Sequence, residues 1–156
     1  MSELWNDSEI GAIEGNLVCS PDGEILNILR YKSNEAIVLK VSADGERLMY
    51  YKTVKLPAAH TKFEIQQKND GTYVAVGNNP PMRNVLSVYT SSDLESWQLH
   101  SDVIDGRKYD SQSTGFQYPS FIIEGDKLLI ASRTAFHGAD SFHNNNYITF
   151  HKAEIN

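Results

Sequence analysis

The side chains whose type and setting could bind an anion or run an acid–base step are scattered along the length of this sequence. Tyr118 lies in the run Gly115-Phe116-Gln117-Tyr118-Pro119, and Glu14 opens the run Glu14-Gly15-Asn16-Leu17-Val18. A phenol, with an ordinary pKa of about 10, is a poor nucleophile at neutral pH unless a nearby carboxylate takes its proton. Arg30, Arg83 and Arg133 carry planar forks that can donate two parallel hydrogen bonds to a carboxylate, although an isolated arginine is usually a solvated surface residue. Asp105, Asp110 and Asp126 are candidate acids, but Asp126 falls in an expected hairpin turn, and Asp110 has the ordinary alternative of holding a loop. His137 and His143 stand near Asp140, yet their six-residue spacing in a Gly- and Asn-rich loop matches no common zinc pattern. No metal or other cofactor is expected.

Composition narrows the partners. In 156 residues, 40% apolar content and 22% charged content describe a globular domain with a real core. Fourteen Lys and Arg against twenty Asp and Glu give a net charge of -6, without a basic cluster longer than Arg107-Lys108. Nucleic acid and anionic membrane, both bound largely through cationic surface, are therefore not expected partners. The single cysteine, Cys19, sits in an apolar run and reads as a buried structural thiol. Residues 1–7 lack a basic segment followed by an apolar one, so the chain as given is expected in the cytoplasm, with secretion of a longer parent protein left open.

The elements that must position these residues are strands. β-branched and aromatic residues fill short runs bounded by Pro21-Asp22-Gly23, Asp44-Gly45, Asn69-Asp70-Gly71 and Glu124-Gly125-Asp126, and no run has helical periodicity with a cap. The runs group as four, four and three strands at intervals of about fifty residues, a spacing that fits propeller blades. The expected fold is all-β, a partial β-propeller of about three blades in one domain over residues 1–156, with approximate blades 13–57, 61–104 and 116–156. A β-sandwich is the alternative that eleven strands would also fit. The third blade lacks a fourth strand, which residues 3–5, residues 10–13 or another subunit would supply, because an uncovered edge invites aggregation.

Two sets of residues carry a family likeness. Ser91-Ser92-Asp93-Leu94-Glu95-Ser96-Trp97 resembles the Asp-box hairpin of sialidase-type propellers, without its usual Gly and Thr and with Trp one residue closer. There the Asp holds a turn while the Trp packs beneath it. The runs Gly115 to Pro119, Ser132-Arg133-Thr134-Ala135-Phe136-His137-Gly138-Ala139 and Phe142 to Phe150, taken with Glu14-Gly15-Asn16 and Leu29-Arg30-Tyr31, resemble the C-terminal half of sialidase-like proteins with neuraminidase (BNR) repeats.

That resemblance implies a site on the propeller axis, where the first strands of several blades converge. It implies Tyr118 as nucleophile and Glu14 as the carboxylate activating it, an exception to the usual pair of catalytic carboxylates in glycosidases. Arg30 and Arg83 match two members of an arginine triad gripping an acidic sugar, Arg133 is a weaker substitute, and Asp110 lies in a family-like loop before Tyr118. Tyr118 also reads as an aromatic shelf at the blade mouth. The family's first arginine and its general acid come from blades upstream of the Glu14 equivalent, where this sequence has thirteen residues and one aspartate, Asp7. Loss of proton donation removes a rate factor of roughly 10²–10⁴. The expected function is therefore an incomplete sialidase-like glycosidase portion that acts on or binds acidic carbohydrate, completed by an identical subunit or by a missing upstream half. A noncatalytic carbohydrate-binding or assembly module is the alternative.

Overall fold

Alternating apolar and polar residues, interrupted by turns that need a left-handed backbone, produce an almost wholly β structure in the computed structural model, which describes residues 11–32 and 34–156. Strands β1 (Ile13–Cys19), β2 (Ile25–Lys32), β3 (Glu35–Val41) and β4 (Leu48–Lys55) form one antiparallel sheet in chain order. A 3-10 turn, Pro57–His60, leads to a second four-stranded sheet of β5 (Glu64–Gln67), β6 (Tyr73–Asn78), β7 (Val85–Ser91) and β8 (Gln98–Asp105). The third holds β9 (Gly115–Glu124), β10 (Lys127–Ala135) and β11 (Tyr147–Glu154), with β10 central. These eleven strands in three separate antiparallel sheets are a partial propeller, and the third sheet stops at three strands among the described residues.

The first hairpin of each sheet turns on a glycine with positive φ: Gly23 at 80°, Gly71 at 92° and Gly125 at 61°. Any residue with a Cβ would be strained there, which is why Asp-Gly and Glu-Gly pairs mark these turns in the sequence.

Period-two alternation gives each sheet two faces, and the faces pack in series. Leu26, Ile28 and Val38 of the first sheet meet Ile65, Tyr73, Ala75 and Tyr89 of the second. The opposite face of the second sheet, Val74, Val76, Leu86 and Val88, meets Phe121, Leu128 and Ile130 of the third. Burial of these large side chains, each contributing roughly 1.5–3 kcal/mol, is what holds the blades together. The approach is close enough that a Cβ on Gly77 would lie 2.7 Å from the Ala58 Cβ.

The same alternation corrects one expectation. Cys19 is exposed, not buried, because it shares the outward side of β1 with Ile13 and Leu17, while Val18 points to the core. Residues 3–5 and Asp7, considered above as a completing strand and an acid, lie outside the described residues.

Asp93 staples the β7–β8 hairpin. Its Oδ1 accepts the Glu95 and Ser96 amides at 2.8 and 2.7 Å, the Ser91 Oγ accepts the Leu94 amide at 2.9 Å, and the Trp97 indole donates to the Leu94 carbonyl at 3.2 Å. A second copy of the device closes β3–β4, where Asp44 accepts from Ser42 and from the Glu46 amide at 3.1 Å. Backbone amides aimed at Asp93 hold its carboxyl down at about 2. Because the folded state depresses this pKa, its contribution to stability is complete above the unfolded value of about 4 and fades as pH falls toward about 2. Asp93→Ala should lower the unfolding free energy by about 1–2 kcal/mol at pH 7, measured by urea denaturation, with a smaller difference at pH 3.

Candidate functional site

The end of the molecule opposite the tight hairpins gathers the start of β1, the end of β2, the β6–β7 loop, the start of β9 and the end of β10. Both proposed inner-strand residues adopt an unusual backbone here. Glu14 has φ 58° and Tyr118 has φ 50°. Each accompanies a register irregularity, between Ile13 and Asn16 in the β1–β2 pair and between Ala131 and Arg133 in the β9–β10 pair. A bulge with left-handed φ breaks the strict alternation of the strand and re-aims a side chain. Such strain persists only where the surroundings enforce it, and it gathers at functional sites.

Four of the candidates form one electrostatic neighbourhood. The Arg30 Nη1 donates to Glu14 Oε2 at 3.0 Å in a half-buried ion pair. Arg83 is pushed below its ordinary pKa first by burial and then by the charge of Arg30, while Tyr118 and Glu14 act in the opposite sense. Those influences place Arg83 within electrostatic reach of all three. The Arg133 guanidinium lies 4.8 Å from the centroid of the Tyr118 ring, a cation–π contact, and its Nη2 donates to Asn145 at 2.6 Å. Tyr118 itself remains 39% exposed.

No described hydrogen bond joins Glu14 to Tyr118; the recorded partner of the Glu14 carboxylate is Arg30. Asp110 stands apart from the cluster in its contacts: it accepts the Gln112 amide at 3.0 Å and the Ser113 hydroxyl at 2.9 Å, which hold it below the ordinary carboxylate range. These bonds fix the loop that leads into β9.

Three residues that sequence reasoning passed over hold the arrangement. Gln117, almost fully buried, accepts from Arg83 and donates to the Phe142 carbonyl, while Phe142 lies beneath the Arg83 guanidinium at 5.3 Å. Lys62 reaches from the second blade to the Pro119 carbonyl at 3.0 Å, fixing the peptide that follows Tyr118. His60 presents its ring nitrogens to the Pro57 and Met82 carbonyls at 3.0 and 3.4 Å; burial, reinforced by the charges of Arg83 and Arg30, pushes its pKa down despite those acceptors. Gln, Lys and His at these positions resemble surface residues in sequence. The one available signal was that Gln117 and Lys62 flank the inner strands on which the site was expected.

The arrangement can receive an anion. One guanidinium, that of Arg133, lies over the half-exposed phenol, Arg83 feels the charge of Arg30, and the nearby carboxylates are engaged: Glu14 by Arg30, and Glu64 by Gln66 at 2.8 Å with Lys62 at 3.9 Å.

Comparison with solved structures places the fold among carbohydrate-active propellers. The GH93 α-L-arabinofuranosidase of Fusarium graminearum in complex with arabinobiose superposes with a TM-score of 0.50 at 15% identity, over 78% of this chain and 40% of that one. An exo-β-1,3-galactanase from Clostridium thermocellum gives 0.53 at 14% identity, over 90% and 31%. A polysaccharide lyase gives 0.53 at 11% identity, over 98% and 31%. At these identities the likeness is one of fold, and this chain spans well under half the length of each of these proteins. A comparison with curated proteins finds no match. Residues 2–130 fit the BNR repeat-like domain, a span that takes in both four-stranded sheets and runs on into β10, and the chain therefore belongs to the BNR repeat-like family.

Proposed function

We propose that this chain is one portion of a sialidase-like, glycoside-hydrolase-type propeller site, and that it binds the acid group of a sugar. The observation that carries the reading is the Arg133 guanidinium 4.8 Å from the centroid of the Tyr118 ring, with the Arg30–Glu14 pair and Arg83 in one electrostatic neighbourhood at the same end of the strands. Desolvation of Arg83 strengthens any ion pair it forms, because a guanidinium already partly stripped of water has less hydration to lose. Tyr118 faces the same space with an exposed ring and serves as the sugar-contacting phenol.

Hydrolysis needs a proton donor at the leaving oxygen. Glu14 and Glu64 act as acceptors for Arg30 and for Gln66, so neither stands ready as that donor. The acid is supplied by blades outside this chain, and binding is the part of the activity the chain carries alone.

A second copy is the proposed source of those blades. In the stacked series, the trailing face of the third sheet and the leading face of the first have no neighbouring sheet among the described residues. The former shows Ile148, 73% exposed, with Phe150 and Ile122; the latter shows Leu17, 71% exposed, beside Ile25 at one edge, around a centre of Leu29, Ile37 and Leu39 that is itself buried. Each face carries exposed apolar side chains that a neighbouring blade would cover. Two copies related by a twofold axis would form such a junction twice and bring both arginine sets into one ring of about six blades.

Two measurements test this reading. By calorimetry, sialic acid should bind more tightly than its uncharged methyl ester, and rising salt should erode the difference. Arg30→Ala should weaken acid binding by about 1–3 kcal/mol and leave the ester unchanged; equal affinities in wild type and variant would remove the anion site. Sedimentation equilibrium should give twice the chain mass, reduced to one by Ile148→Asp. A monomer in the unmodified chain would instead place the missing blades in another segment or protein.

A further inference from the structure

Beyond the arginine cluster, on the same end of the molecule, a cavity of about 560 Å³ opens between the second and third blades. It lies where β8 ends, β9 begins, β10 ends and β11 begins, and its volume falls in the range of small-molecule sites. Neither the anion site nor the blade-to-blade cores account for it.

The lining has two chemically distinct parts. One is aromatic: Tyr109, Phe136, Phe116 and Tyr147, with Tyr109 and Phe136 packed edge to face at 4.8 Å. Tyr109 and Tyr147 are 38% and 49% exposed, more than core rings of a finished fold would be. The other part is a wall of hydroxyls and the His151 imidazole, with a second imidazole, His137, beside Phe136. Thr134 and Thr149 lie 2.6 Å apart through their Oγ1 atoms, Thr149 lies 2.7 Å from His151 Nε2, and Ser132 backs all three within 3.4 Å. Burial lowers the His151 pKa, which disfavours a charge at this part of the wall. At the mouth, Asp105 and Lys108 carry opposite charges, and Asp105 is paired with Arg107.

The geometry points to a second binding site in this cavity, for a neutral sugar unit. A pyranose or furanose ring has an apolar C–H face suited to an aromatic wall and hydroxyl edges suited to Thr134, Thr149 and His151. An ionised ligand would lose hydration in the cavity without an ion-pair partner at its inner wall, where Thr134, Thr149 and His151 bond to one another. This site is independent of the arginine cluster. The two share the Phe116-Gln117 segment, so a chain of sugars with an acidic end at Tyr118 could extend a neutral unit toward it.

The test uses galactobiose and arabinobiose as probes, with saturation-transfer NMR and titration of amide shifts on the unmodified chain. Either disaccharide should bind and shift amides between Gly106 and Tyr109 or between Thr134 and His137. Tyr109→Ala or Tyr147→Ala should weaken that binding about tenfold or more, and Arg30→Ala should leave it intact. Both tyrosines are partly exposed, so the variants should keep the wild-type unfolding midpoint, which is checked alongside. Failure of both disaccharides to bind, binding of an apolar dye alone, or wild-type affinity in both tyrosine variants would overturn the inference. Loss of binding in Arg30→Ala would also overturn it, by assigning the sugar to the anion site.

Discussion

The three sheets share no backbone ladder, and everything at the axial end depends on how their inner strands are nevertheless held in place. Face-to-face apolar packing sets the separation of the blades but resists sliding only weakly, since a hydrophobic contact has no direction. Direction comes from side chains that reach across to the neighbouring backbone. The Asn16 amide oxygen accepts the Ile65 amide at 3.1 Å while its nitrogen donates to the Phe63 carbonyl at 3.3 Å, so one side chain imitates a piece of ladder between β1 and β5. Gln66 donates to the Phe121 carbonyl and Lys62 to that of Pro119, tying β5 to β9. These links pin the first strands at the places where Glu14 and Tyr118 leave the ordinary β conformation.

Position then becomes electrostatics. Arg30 of β2 and Arg83 of the β6–β7 loop lie within reach of one another, and their repulsion adds to the burial that lowers Arg83. The structure offsets it with one carboxylate, an aromatic face under Arg83 and another beside Arg133. A guanidinium tolerates such surroundings better than an ammonium because its charge is spread over a plane that can stack. The arginines at this end thus stand out in a chain whose net charge is -6.

Much of this was legible before any coordinates. The turn pairs Asp22-Gly23, Asp70-Gly71 and Glu124-Gly125 located the hairpins because only a left-handed residue fits them, and the grouping of strands followed from their spacing. Arg30, Arg83, Arg133, Glu14 and Tyr118 were legible as candidates through likeness to a family, not through any local rule. What stayed hidden were properties set by neighbours distant in sequence. The exposure of Cys19 depends on which side of β1 meets the second blade. The pairing of Glu14 with Arg30 instead of Tyr118 depends on the bulge that turns it. Ser42 and Asp44 repeat the Asp93 staple with a glycine following in place of Leu94, so only the hydrogen bonds revealed the kinship.

The hairpins stapled by Asp44 and Asp93 lie at the opposite end of the strands from the arginines, and so do the three glycine turns. The chain thus divides its labour along the strand direction. One end is written in residues that the backbone conformation itself demands and that admit few replacements. The other carries the longer connections between β6 and β7 and between β10 and β11, in which left-handed positions such as His137 and Gly138 are spaced among residues of ordinary backbone. A substitution at a glycine turn is therefore met first as a loss of the fold, before it reaches the other end of the strands.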